Sequence, residues 1–219
     1  GIDKAFLKDI ETYEWAAAHV ESLGSEIARL RPRLTIANFK RWTLRELDLR
    51  REAASASELR DAMKAVDHYE VPAIDWDRTS GKVLTLDWID GIKISKVEEL
   101  KAAGHDLPQL AGRLVNAFLR QAISEGFFHA DMHQGNLFMK ADGTIAAIDF
   151  GIMGRINRQA RFWLAEILYG LITGNYQRVA EIHFEAQYVP EYHDVGEFAT
   201  ALRAVGEPMR GKPVSELSV

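Results

Sequence analysis

The sequence contains no cysteine, which excludes disulfides and thiolate-held metals and is consistent with a reducing compartment. It has no basic excess either. With a formal net charge of −5 it offers no stripe of cations to neutralise a phosphate backbone, so no nucleic-acid partner is expected. No apolar run approaches the about 20 residues needed to span a bilayer. No signal peptide opens the chain, and no internal repeat or low-complexity segment interrupts it. The first residue is Gly1 rather than Met, and Pro213 to Leu217 reads as the start of a further element, so both ends are expected to be cut.

What remains is an ordinary globular composition. The chain has 219 residues, 47% hydrophobic and 27% charged, enough for one domain or two closely packed lobes. Ile2 to about Leu23 reads as an amphipathic helix ending at Gly24, and a longer helix is expected from about Thr35 to Met63. In the latter, Asp48 and Glu52 stand four apart and share a face, and Arg45 and Arg51 are the cations placed to offset that like-charge pair on a solvated surface. Two extended runs, Tyr69 to Trp76 and Lys82 to Ile89, predict a hairpin across Arg78-Thr-Ser-Gly81. Helices follow over about Ser95 to Ala103 and Asp106 to Glu125, the second stopping at Gly126. Beyond Gly154 the pattern is helical: Asn157 to Thr173, Asn175 to Tyr188, and about Glu191 to Val205.

The chemistry is concentrated in Phe127-Phe-His-Ala-Asp-Met-His-Gln-Gly-Asn136, followed by Asp149-Phe-Gly151. His129-x-Asp131, with Asn136 five residues on, is the loop pattern of phosphoryl-transfer enzymes of the protein-kinase type. In it the Asp accepts the nucleophile's proton and the Asn reaches to a metal. Leu137 to Lys140 and Thr144 to Ile148 read as short strands joined by Ala141-Asp-Gly143, whose Asp-Gly pair suits a turn with positive φ. That hairpin should deliver Asp149 beside Asn136. An amide oxygen and a carboxylate then converge as hard ligands for Mg²⁺, with ATP phosphates and water completing its shell. Alone, Asp-Phe-Gly is a turn tripeptide and His-x-Asp a solvated loop; their order, with a hairpin between, carries the reading. His129 reads as a scaffold residue, and His133, with no Cys or His near it in sequence, makes a poor zinc ligand.

The order of elements predicts an α+β, protein-kinase-like fold. Residues 1–90 would be a partial small lobe with additional helices, and 91–219 a mostly helical large lobe carrying the catalytic loop and Asp-Phe-Gly. ATP would lie between them, with backbone groups of Asp87 and Ile89 offered to adenine.

Four segments then resemble one family. They are Arg45-Glu-Leu-Asp-Leu-Arg-Arg-Glu-Ala-Ala54, Leu86-Asp-Trp-Ile-Asp-Gly91, His129 to Asn136, and Ile148-Asp-Phe-Gly-Ile-Met-Gly-Arg155. Together they are similar to the UbiB atypical kinase-like family of ubiquinone biosynthesis. The resemblance implies Asp131 as catalytic carboxylate, Asn136 and Asp149 as metal ligands, and Glu52 as the helix glutamate that pairs with a strand lysine. It also implies that Glu46 and Asp48 form a Glu-x-Asp motif facing the active site and helping to block protein substrates, which reverses the solvated-surface reading of that helix. The family usually has Glu where Asp87 stands, and often prolines at the positions of Met132 and Gln134. No phosphate loop, strand lysine or Lys-x-Gly-Gln segment is found, so the fragment alone is expected to be inactive. No Ala-Pro-Glu follows Gly151, which fits the family and not an ordinary protein kinase.

The implied whole is an ATP- and Mg²⁺-dependent ATPase or small-molecule kinase at the cytoplasmic face of a membrane, either peripheral or anchored by segments missing here. Its partners would be quinone precursors, membrane lipid and other ubiquinone-biosynthesis proteins. Two alternatives are a small-molecule phosphotransferase of the aminoglycoside or choline type, which has no reason to carry Glu46-x-Asp48, and a nucleotide-binding pseudokinase, against which Asp131 stands.

Overall fold

The computed structural model describes residues 2–21 and 29–211, with backbone alone at 2–4, 45 and 46. The expected end of the first helix at Leu23 and Gly24, and the element at 213–217, lie outside the described residues. By contacts the chain divides into two compact units, Gly1–Asp106 with Asp131–Ile152, and Leu107–Ala130 with Met153–Val219.

The first unit opens with helices α1 (Ile2–Glu21), α2 (Pro32–Glu46) and α3 (Leu49–Met63). The single helix expected from Thr35 to Met63 is two. Asp48 is extended (φ −100°, ψ 93°), and its carboxylate accepts from the Arg50 N–H, so it caps α3 rather than sitting inside a longer helix. Leu49 N–H, another donor at the new helix start, bonds Gly81 C=O at 3.1 Å. Ala53, Ala56, Leu59 and Met63 form the buried stripe of α3, at spacings of three and four that keep one face inward.

Four short strands form its sheet in the order β1 (Tyr69–Glu70), β5 (Ile145–Ala147), β4 (Leu137–Met139), β2 (Ile92–Lys93). β4 and β5 are the predicted antiparallel hairpin, registered Leu137 to Ala147 and Met139 to Ile145, with Gly143 at φ +80° in its turn. β1 lies parallel to β5, and β2 antiparallel to β4. A Cβ on Gly91 would meet Met139 C=O at 2.8 Å, so glycine is what lets the chain entering β2 approach β4.

The hairpin expected between Tyr69 and Ile89 forms only as isolated bridges, Ile74 with Leu86 and Ser80 with Val83. Side chains take the backbone's partners there. Asp75 accepts from Arg78 N–H, Thr79 Oγ1 donates to Asp75 C=O, and Thr85 N–H donates to Thr79 Oγ1, leaving a 3₁₀ turn at Trp76–Arg78. Helix α4 (Val97–Ala102) closes this part of the chain.

In the second unit α5 (Leu107–Leu119) runs on as a π-helical turn, Arg120–Glu125, and ends at Gly126 in the left-handed region (φ +69°). Strand β3 (Phe127–His129) pairs with β6 (Met153–Arg155), a strand where sequence predicted only helix beyond Gly154. Helices α6 (Arg158–Thr173), α7 (Tyr176–Glu185) and α8 (Val195–Gly206) follow, each capped by the Asn157, Asn175 or Asp194 carboxamide or carboxylate before it.

Gly126→Ala should destabilise the protein markedly. A left-handed non-glycine costs about 1–2 kcal/mol, and the added Cβ would also lie 2.8 Å from the Ile156 carbonyl oxygen. A denaturation midpoint equal to wild type would refute the cap argument.

Candidate functional site

Asp131, Asn136, Asp149 and Glu52 all belong to the first unit, and a chain of hydrogen bonds joins them. Asn136 is 6% exposed at the end of a 3₁₀ turn (Gln134–Asn136), and its Nδ2 donates to the Asp131 carbonyl at 3.2 Å. That bond fixes the loop and commits the amide nitrogen, which leaves Oδ1 as the side chain's acceptor. The Asn136 carbonyl in turn accepts from Ile148 N–H at 2.8 Å, so the hairpin returns the chain to its start as the spacing predicted, and Asp149 follows at once.

Asp149 is an exposed residue at φ +64°, one of four non-glycine residues with positive φ among those described. Asp tolerates this region better than most residues, and such conformations persist where the surroundings over-determine them. Two bonds do so here. Gly151 N–H donates to Asp149 Oδ1 at 3.3 Å, and Phe150 N–H, belonging to a ring with no exposed surface, donates to Glu52 Oε1 at 3.2 Å. Glu52, one turn into α3, therefore docks on the backbone of the Asp-Phe-Gly segment across 98 residues of sequence. Sequence reasoning assigned Glu52 a lysine partner and had no signal for this one.

Glu52→Ala should cost about 1–3 kcal/mol, the usual penalty for a buried donor that loses its acceptor, while Glu52→Gln keeps an Oε1 and should be nearly neutral. Equal stability of the two variants in urea denaturation would count against the contact.

Asp48 sits apart from this cluster. Its carboxylate forms a two-bond pair with Arg50 (Nε to Oδ1 2.8 Å, Nη2 to Oδ2 2.7 Å) and lies against Gly81, whose Cβ position is 3.3 Å from Oδ1. Arg50's hydrogen bonds, above all, hold the Asp48 carboxyl below the ordinary carboxylate range; Arg51 adds only charge. The main compensation comes from Arg50, which sequence reasoning did not name, because the break before α3 turns Asp48 back over the first turn; Arg51 contributes as expected, and the Arg45 side chain is outside the described residues. The Glu46 side chain is outside the described residues.

Asp87 is exposed and its N–H donates to Ala73 C=O at 2.9 Å, so only its carbonyl remains for an adenine; Ile89 is half-buried. His129 is buried, and its N–H donates to Oε1 of the fully buried Gln121 at 2.9 Å. Gln121 was missed by sequence reasoning; the available signal was a polar residue beside Ala122 on the inward face of α5's continuation. His133 Nδ1 accepts from Gly135 N–H at 3.0 Å, which places the ring proton on Nε2, 3.8 Å from Asp131 Oδ2.

Among the described residues no group of three or more His, Cys, Asp or Glu could cage a metal. The donor set of Asn136 and Asp149 instead fits an ion that takes two protein oxygens and fills its shell with phosphate and water, as Mg²⁺ does.

Comparison with known proteins supports the same class. The family model described as the ABC1 atypical kinase-like domain matches residues 1–183. Among solved structures the chain is similar to the complex of Rv3197 with erythromycin from Mycobacterium tuberculosis, at 22% identity and a TM-score of 0.58, over 80% of this chain and 44% of that one. It therefore spans less than half the length of that protein. The bifunctional kinase-methyltransferase WbdD aligns at 16% identity with a TM-score of 0.33, over 77% of this chain and 38% of its own. The fold is α+β and kinase-like.

Proposed function

The chain belongs to the ABC1 atypical kinase-like family, and from that premise we propose that the complete protein is an ATP- and Mg²⁺-dependent ATPase or small-molecule kinase of the UbiB type. Its role would be in ubiquinone biosynthesis at the cytoplasmic face of a membrane, with quinone precursors, lipid and other proteins of that synthesis as partners. The observation that carries the reading is the convergence of Asp131, Asn136, the Asp149-Phe-Gly segment and Glu52 through three hydrogen bonds in one unit.

In this reading Asn136 Oδ1 and Asp149 hold the metal, which when bound draws charge from the nucleotide phosphates. Asp131 takes the proton of the attacking hydroxyl or water. Glu52 braces Asp149 through Phe150, and His133 Nε2–H faces the Asp131 carboxylate. Backbone at Asp87 and Ile89 receives the adenine. Glu46, the last residue of α2, and Asp48, the cap of α3, would form the element that restricts which acceptor approaches. No described helix is long and apolar enough to cross a membrane.

The test is Mg²⁺-dependent ATP turnover by the complete protein, with and without vesicles and quinone precursors. Turnover stimulated by both is expected. Turnover indifferent to Mg²⁺ would refute the proposal.

A further inference from the structure

The loop between Asp131 and Asn136 holds an imidazole in place without burying it. The His133 side chain is 58% exposed, so packing does not fix the ring. Its neighbour Gly135 does so in two ways. Gly135 N–H donates to Nδ1 at 3.0 Å, which makes His133 the side-chain cap of the 3₁₀ turn Gln134–Asn136. Gly135 also leaves the ring its space, since a Cβ there would lie 2.6 Å from Cε1 and 2.9 Å from Nδ1. It is not among the glycines with positive φ, so its backbone does not call for glycine; the imidazole beside it does.

The same bond decides what the ring can do. Nδ1 spends its lone pair on Gly135 N–H, so the neutral ring carries its proton on Nε2 and that nitrogen can only donate. Asp131 Oδ2 lies 3.8 Å from it. A proton taken up by Asp131 finds no open nitrogen on this ring, which excludes His133 as a relay base. A donor beside a carboxylate oxygen can instead hold that oxygen. Bonded N–H···O pairs have their heavy atoms about 2.9–3.0 Å apart, and the last torsion of an Asp side chain is broad, so a turn of the carboxylate is enough to close the gap. Catalytic hydrogen bonds commonly tighten in this way as the reacting complex forms. A carboxylate open to its surroundings gains most from such a donor: the Asp131 side chain is 41% exposed, and Asn136 holds that residue by its carbonyl.

We propose that His133 is the positioning residue of Asp131: its Nε2–H holds Oδ2, and Oδ1 is thereby left turned toward the attacking hydroxyl or water. The inference rests on the reading of Asp131 as the proton acceptor and adds the group that orients it. Gly135 belongs to the same device, because it supplies both the N–H that sets the tautomer and the space in which the ring stands.

Two substitutions separate the two ring nitrogens. His133→Asn puts an amide oxygen where Nδ1 stands, keeps the bond from Gly135 N–H as an Asx turn, and removes the Nε2 donor. His133→Gln puts an amide N–H near the place of Nε2 and gives up the cap. In Mg-dependent ATP turnover by the complete protein, His133→Asn should lower kcat about 10- to 100-fold, the usual cost of losing an outer-shell hydrogen-bond partner, with KM for Mg-ATP unchanged. His133→Gln should recover most of that loss. Gly135→Ala, which displaces the ring from a backbone that accepts alanine, should lower kcat as His133→Asn does and should lower it no further in the His133→Asn background. NMR of the imidazole nitrogens should show His133 protonated at Nε2 and bare at Nδ1. Wild-type kcat in His133→Asn, or a His133→Gln variant no faster than His133→Asn, would overturn the positioning role and leave His133 a turn cap. A ring protonated at Nδ1 would overturn it as well. Failure of the underlying reading looks different, because Asp131→Asn would then turn over as fast as wild type, and both would fall.

Discussion

Asp149→Ala in the complete protein is expected to abolish Mg-dependent nucleotide binding. The carboxylate is the only charged oxygen donor in the proposed metal pair; Asp149 is exposed, and its Oδ1 accepts from Gly151 N–H at 3.3 Å. A bridging ion without that donor has a neutral amide oxygen and the phosphates alone. Alanine also sits poorly at φ +64°, so a loss of binding could in part reflect strain in the backbone. Asp149→Asn separates the two causes, because Asn tolerates the left-handed region and removes only the charge. Both variants should fail to bind a fluorescent ATP analogue in Mg²⁺, and Asp149→Asn should keep wild-type stability. Unchanged Mg-ATP affinity in either one would exclude Asp149 as a ligand.

Asp131→Asn should lower turnover by about two to four orders of magnitude, the range for a lost general base, with little change in nucleotide affinity. The structural basis for that split is that Asn136 holds Asp131 by its carbonyl and not by its carboxylate. The loop's geometry, and with it Asn136 Oδ1, should survive the substitution. Single-turnover measurements at saturating Mg-ATP would isolate the step. A variant that turns over as fast as wild type would make the site a nucleotide-binding module without catalysis through Asp131.

The segment from His129 to Gly151 was legible in the sequence because its geometry is local. A two-strand hairpin with Asp142-Gly143 in its turn fixes where Asp149 emerges relative to Asn136, whatever the rest of the chain does. The helix starts at Asn157 and Asn175 were legible for the same reason, whereas the last helix, expected from about Glu191, begins only after Asp194, which caps it. What failed to show were choices between competing local bonds and pairings distant in sequence. Asp48 looked like a helix residue because Leu49-Arg-Arg-Glu52 continues a helical pattern, yet its carboxylate prefers the Arg50 N–H. Tyr69 to Trp76 has strand composition, but Pro72 and the Asp75 and Thr79 side chains divert its backbone bonds. β6 was missed because Met153-Gly-Arg155 has no strand signature, and its pairing with β3 is a tertiary outcome.

The sheet of the first unit has a consequence for how the protein is made. β1 has its neighbour β5 some 76 positions later, Tyr69 opposite Ile145, and Glu70 bonds Lys140 at 2.6 Å over a similar separation. While the nascent chain lengthens at roughly 5–20 residues per second, β1 emerges and must wait several seconds for the strand that pairs with it. In that interval its backbone donors and acceptors are available to any other extended chain nearby, which makes this stage the one most dependent on chaperone cover. The same topology sets a rule for cutting the gene. A clone that stops before Phe150 releases a first unit lacking the anchor of Glu52, and one that stops before Ile145 lacks β5 as well; either should be recovered in inclusion bodies rather than as a smaller folded protein.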